Sequence, residues 1–225
     1  MLVLFDIDGT LLANASREHA QAIHEAIAEV HGVDVAALRR PGPEVAGRTD
    51  GEIARILLTR AGVGPGRIDA LADAVRERAC ARYCELCPPD LTAARVPGIA
   101  SVLEALSARD DRALALVTGN FEPVARLKLK RAGLGHFFAA GQGGFGSDAE
   151  DRAALPAVAR RRAGGVSPRN AVVVGDTPRD IACARADGCR VIAVTSGPYG
   201  ADALGGADAV AEDAEALTAL LTDGF

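Results

Sequence analysis

Two aspartates stand one residue apart near the start of the chain, Asp6 and Asp8, directly after the apolar run Leu2-Val3-Leu4-Phe5. Side chains of an extended backbone repeat every two residues, so both carboxylates point the same way if strand geometry continues past Phe5. Carboxylates packed that closely repel each other unless a cation lies between them, which suits a metal site or a nucleophile and acid pair. Asp8-Gly9 is equally an ordinary solvated turn after a strand, and the residues alone leave both readings open. Two further apolar runs also end in polar residues. Residues 113–117 lead into Thr118-Gly119-Asn120, and residues 171–174 lead into Gly175-Asp176-Thr177-Pro178-Arg179-Asp180.

The elements that must position these groups follow from periodicity. Residues 2–5 and 171–174 are unbroken apolar runs, the pattern of strands buried on both faces. Strands are also predicted at 113–117, 190–194, 207–210 and the short run Phe137-Phe138-Ala139-Ala140. Helices are predicted over 16–31, with Ser16 as N-cap and Ala20, Ile23, Ile27 and Val30 as the stripe, and over 50–61 and 67–86. Pro88-Pro89 ends the last of these. A Pro/Gly-bearing link, Arg40-Pro41-Gly42-Pro43, joins the first two. Beyond Val96 helices alternate with strands, which predicts an α/β fold: a Rossmann-like three-layer core with a central parallel sheet and right-handed crossovers. The all-helical residues 15–95 then form an insertion, giving a core of 1–14 and 96–225 with a helical cap domain of 15–95. Ligands of such sheets bind at the carboxyl ends of the strands. Asp6, Asp8, Thr118 and Asp176 each follow an apolar strand and so share one rim.

Composition narrows the class. The 225 residues are 49% hydrophobic and 24% charged, enough for a core with an ordinary soluble surface. A net charge of −5, with Arg160-Arg161-Arg162 the most basic run, argues against nucleic acid as a partner. No apolar stretch reaches membrane-spanning length, and the first core strand begins at Met1, so a cytoplasmic protein without signal peptide or membrane partner is expected. Five cysteines, an odd count, do not suggest a disulfide framework. Cys80, Cys84 and Cys87 have a spacing that resembles part of a metal site, but on a helix they make one face and read as packing residues.

Asp6-Ile7-Asp8-Gly9-Thr10 resembles motif I of the haloacid dehalogenase (HAD) superfamily, most of whose members are phosphohydrolases, and the likeness extends over the whole chain except the cap details. The resemblance implies Asp6 as nucleophile and Asp8 as general acid/base that also lends its backbone carbonyl to a metal. Val117-Thr118-Gly119-Asn120 resembles motif II, with the Thr118 hydroxyl and neighbouring groups at Gly119 and Asn120 holding the phosphoryl group. Residues 174–180 resemble motif IV, which implies Asp176 and Asp180 as carboxylates of a Mg2+ site with Asp6 and Asp8. The helical block falls where one class of members, phosphoglycolate phosphatase-like, carries a cap. The expected activity is hydrolysis of a small phosphorylated metabolite through an aspartyl-phosphate intermediate.

One position departs from the pattern. Motif III normally supplies a lysine, whereas the corresponding stretch, Gly146 to Arg152, holds Arg152 as its base. Arginine can grip a carboxylate or phosphate in bidentate fashion, so Arg152 is expected to serve in preference to the alternative, Lys128 or Lys130 from the preceding helix, which read as solvated-face charges. His19, His24 and His31 read as surface or cap-packing residues, Thr49 or Asp50 as a helix cap, and Arg48 as a substrate contact. Asp8 argues against dehalogenase chemistry, which lacks a carboxylate there, and the absence of lysine from 15–95 argues against a phosphonate hydrolase. A β-phosphoglucomutase-like phosphotransferase and a non-catalytic binding module remain as alternatives, and the protein is expected as a monomer or homodimer.

Overall fold

The computed structural model describes residues 1–34 and 45–224, so the link at 40–43 lies outside the described residues. Among the described residues the strands are β1 (Leu2–Phe5), β2 (Ala113–Thr118), β3 (Gly144–Phe145), β4 (Ala171–Gly175), β5 (Arg190–Val194) and β6 (Ala209–Ala211). They form one sheet, parallel throughout, in the order β3-β2-β1-β4-β5-β6. The chain leaves β1 for β2 on one side and later returns to β4 on the other, so the order reverses at β1. Parallel sheets open a ligand crevice at that reversal, outside the carboxyl ends.

Eight helices accompany the strands: α1 (Arg17–His31), α2 (Asp50–Arg60), α3 (Pro65–Leu86), α4 (Ile99–Ser107), α5 (Glu122–Arg131), α6 (Leu155–Arg162), α7 (Pro178–Asp187) and α8 (Ala214–Ala219) among the described residues. The period-2 alternation of β1 assigns them to layers. Val3 and Phe5 join one apolar cluster with Leu103 of α4, Leu129 of α5 and Leu217 of α8. Leu2 and Leu4 join another with Leu155 and Ala159 of α6 and Ala184 of α7. All four β1 side chains are buried, each contributing about 1.5–3 kcal/mol of transfer free energy. Helices on both faces of a parallel sheet are the expected three-layer α/β architecture.

α1, α2 and α3 all lie between β1 and α4 in sequence, with α1 packed along α3. Their apolar residues, including Ile27, Leu57 and Tyr83, belong to the same continuous cluster as Val3 and Phe5. Pro65 opens α3 at its first helical position, where its missing N–H costs nothing.

Three local expectations need correction. Residues 137–140 are not a strand. A 3-10 turn spans Gly135–Phe137, and Phe138 packs edge-on to Phe5 with ring centroids 6.2 Å apart, so the apolar run covers the sheet instead of extending it. The edge strand lies later, at β3, where Leu155 comes so close that a Cβ on Gly144 would meet its carbonyl oxygen at 2.2 Å. The α1 stripe is His19, Ala22, Ile23, Ala26 and Ile27, not one through Ala20, which is exposed. Of the helical cysteines Cys87 is buried and Cys80 half-buried, but Cys84 faces solvent, so the three do not make one packed face.

Candidate active site

Strand pairing carries one residue past β1: the Asp6 N–H donates to the Val174 carbonyl at 2.9 Å. The chain then turns sharply, with the Leu11 and Leu12 N–H groups both donating to the Ile7 carbonyl at 2.9 Å. Gly9 makes this turn feasible. It sits at φ +86°, and a Cβ there would lie 2.1 Å from Asp176 Oδ2. Thr10 Oγ1, held by the same turn, donates to Asp176 Oδ1 at 3.0 Å.

Asp176 and Asp180 come from the end of β4 and the first turn of α7. Thr177 caps α7, its side chain accepting from the Asp180 N–H, while its own N–H donates to Asp180 Oδ2 at 3.0 Å. This reciprocal cap fixes the Asp180 carboxylate beneath the strand end. Asp6, Asp176 and Asp180 therefore converge, with one oxygen of each within 4.8 Å of the others, and all three are buried. The Arg152 guanidinium, on a 3-10 turn Arg152–Ala154 just before α6, pairs with Asp180 and reaches Asp6 Oδ2 at 3.0 Å.

Three buried carboxylates against one cation leave the cluster with excess negative charge. Burial pushes Asp6 up to about 6 against the pull of Arg152, with Asp180 adding to the rise. Burial, then the charges of Asp180 and Asp6, pushes Asp176 up to about 8. Such crowding of oxygen donors fits a hard divalent cation such as Mg2+, which would be held by Asp6, Asp176 and, at its side, Asp180. The Asp8 carboxylate is not part of this cluster.

Asp8 faces a second set of groups. Lys128 Nζ donates to both its oxygens at 2.7 Å, Asn120 Nδ2 to Oδ2 at 2.9 Å and Ser16 Oγ to Oδ1 at 3.2 Å. Burial alone would raise Asp8, but Lys128, with His19 and the bonds from Lys128 and Asn120, holds it below the usual carboxylate range. Lys128 is thus no solvated-face charge. It is fully buried, because it shares the covered stripe of α5 with Val124, Ala125 and Leu129. His19 takes the packing alternative of the two expected for it, with polar partners besides: it is buried, accepts from Lys128 at Nδ1 (3.2 Å) and meets Asp50 Oδ2 at Nε2 (3.0 Å). Sequence reasoning judged both by residue type. Their places on apolar stripes, three or four residues from buried neighbours, were the available signal.

The remaining expected residues line the join between the helical block and the strand ends. Thr118 ends β2, fully buried, and its Oγ1 accepts weakly from the Asn120 N–H at 3.4 Å. The Gly119 carbonyl accepts from the Asp50 N–H at 2.8 Å, and the backbone of Arg48 passes so near that a Cβ on Gly119 would lie 2.2 Å from its oxygen. Thr49 caps α2 through the Glu52 N–H, as expected, and its hydroxyl donates to the Glu150 carbonyl at 2.6 Å. The Arg48 guanidinium pairs with Glu52. Between block and rim lies a cleft of about 180 Å³, with Asp6, Asp8, Thr118 and Arg152 on the sheet side and Ile23 and Arg48 on the helical side.

The chain is similar in sequence and in fold to known proteins. A phosphoglycolate phosphatase from Rhodospirillum rubrum is 33% identical over 201 residues, 87% of this chain and 79% of that protein. Phosphoglycolate phosphatase 1 from Pseudomonas aeruginosa is 31% identical over 201 residues, 87% of this chain and 70% of that one. The crystal structure of a β-phosphoglucomutase from Clostridium difficile superposes with a TM-score of 0.69 over 96% of this chain and 92% of its own, at 15% identity, a likeness of fold alone. Residues 3–185 match haloacid dehalogenase-like hydrolases as a family. With a sheet, a strand-end site and relatives that agree along most of its length, the chain belongs to the haloacid dehalogenase-like family of hydrolase enzymes.

Proposed function

We propose that the protein is a Mg2+-dependent phosphatase of small phosphorylated metabolites, working through an aspartyl-phosphate on Asp6. The observation that carries this is the buried meeting of Asp6, Asp176 and Asp180 with Arg152, from which Asp6 and Arg152 face the cleft. A bound Mg2+ would supply positive charge for the phosphate oxygens beside the nucleophile. Arg152 neutralises Asp6 and Asp180, which lets a dianionic phosphate approach a carboxylate. Thr118, at the β2 end, offers its hydroxyl to the phosphoryl group.

In the first step an Asp6 oxygen attacks phosphorus, the ester P–O bond breaks, and Asp8 gives the departing oxygen its proton. In the second, water attacks the same phosphorus, Asp8 takes the water proton, and the bond to Asp6 breaks to release inorganic phosphate. The helical residues 15–95 serve as a cap over the core of 1–14 and 96–225, excluding bulk water. A cleft of about 180 Å³ suits a substrate of few atoms, and both curated relatives are named for phosphoglycolate, which makes that acid the first compound to try. Arg48, at the cap side of the cleft, is the candidate contact for its distal end.

The test is release of phosphate from phosphoglycolate and from para-nitrophenyl phosphate, with and without Mg2+, for wild type and Asp6→Asn. Turnover should require the cation and be abolished by the substitution while the fold, read by circular dichroism, is kept. Turnover that survives Asp6→Asn, or that ignores chelator, would overturn the proposal.

A further inference from the structure

Lys128 is a fully buried ammonium with every proton assigned: two bonds run to the Asp8 oxygens at 2.7 Å and one to His19 Nδ1 at 3.2 Å. A lysine has no acceptor, so His19 must accept at Nδ1 and carry its proton at Nε2. That proton goes to Asp50 Oδ2 at 3.0 Å, and the same oxygen takes the Phe121 N–H at 2.7 Å. Tyr83 closes the imidazole from the side, edge-on with ring centroids 5.5 Å apart. The result is one unbroken line, Asp8–Lys128–His19–Asp50, whose members come from the β1 loop, α5, α1 and α2 in turn.

Burying an ammonium, an imidazole and the carboxyl groups at either end gains little over apolar packing of the same volume, so stability alone is a weak reason for the line. Its end explains it better. It terminates on the carboxylate that must hand a proton to the leaving oxygen, and it is complete only with α1 and α2 seated on the strand ends. We propose that Lys128 and His19 are positioning residues for Asp8: Lys128 aims its carboxyl group toward the cleft, and His19, anchored by Asp50, fixes Lys128. This rests on the phosphatase reading, in which Asp8 protonates the leaving group.

Leaving-group dependence separates positioning from mere support. An alkoxide leaving group needs a proton and a nitrophenolate hardly does, so a misplaced acid harms the first far more. The experiment compares kcat/KM on phosphoglycolate and on para-nitrophenyl phosphate, with Mg2+, for wild type, Lys128→Met, His19→Leu and His19→Gln. Glutamine offers an acceptor and a donor in the places of the two ring nitrogens. Lys128→Met and His19→Leu should each lose about a hundredfold on phosphoglycolate but less than about tenfold on the aryl ester, and His19→Gln should recover most of the loss. Equal losses on both esters, or no rescue by glutamine, would overturn the proposal and leave the phosphatase reading standing. Wild type inactive on both esters would overturn the phosphatase reading and this inference with it. Should Lys128→Met fail to fold, the His19 pair decides alone.

Discussion

Arg152 stands between Asp6 and Asp180 with both carboxylates inside the protein. Removing one partner of a buried ion pair strands the other, at a cost of about 3–5 kcal/mol. Arg152→Met should therefore lower unfolding stability by about that much in denaturant titrations made without added cation. Arg152→Lys should fall between, since an ammonium keeps the charge but lacks the planar fork that reaches two carboxylates. Asp6 and Asp176 were legible in the sequence because each lies just past an apolar strand, where the parallel fold dictates a rim, whereas Asp180 and Arg152 were reached only through the resemblance to the family's motifs. Lys128 and His19 were not, because polarity was given more weight than position. α5 buries Val124, Ala125 and Leu129, and Lys128 stands on their stripe, so helix geometry commits it to the interior whatever its charge.

Elements here meet through backbone as much as through side chains. The Arg48–Asp50 segment crosses the end of β2 at Gly119, with the Asp50 N–H on the Gly119 carbonyl at 2.8 Å. Gly119→Ala would place a methyl 2.2 Å from the Arg48 oxygen, forcing the start of α2 off the rim. Overpacking of this kind costs about 1–3 kcal/mol, so the variant should unfold at lower urea and lose activity beyond what the stability change explains. The glycine was read in sequence as part of a phosphate loop, while its geometry makes it a crossing point for two backbones. Strand and helix content followed from periodicity wherever an element was long. β3 escaped because two residues have no period, and the neighbouring aromatic run Phe137-Phe138 gave a stronger but misleading signal.

Across the whole molecule, a cation held by the carboxylate cluster would link its binding to folding. A ligand that binds only the folded state adds stability in proportion to its occupancy, about 2.7 kcal/mol at a hundredfold excess over Kd. Mg2+ should thus raise the thermal midpoint, and chelator should reverse it. Asp176→Asn should lose this response, yet its cation-free form should melt no lower than wild type near neutral pH, because burial and its acidic neighbours already hold the Asp176 carboxyl largely protonated and Asn can still accept from Thr10. No helix among the described residues is long and apolar enough to cross a membrane. The placement of β1 has a consequence in time. Its partners are β2, more than a hundred residues later, and β4, later still. A chain emerging from the ribosome therefore carries Leu2–Phe5 and Asp6 without a strand partner until β2 has been made, and with only one until β4 follows. Closing such distant contacts is the slow part of folding parallel sheets, so β1 waits longer for its partners than any other described strand. The nascent chain is without its site for most of its synthesis, and the apolar strand at its head is then the segment a chaperone would most usefully shield.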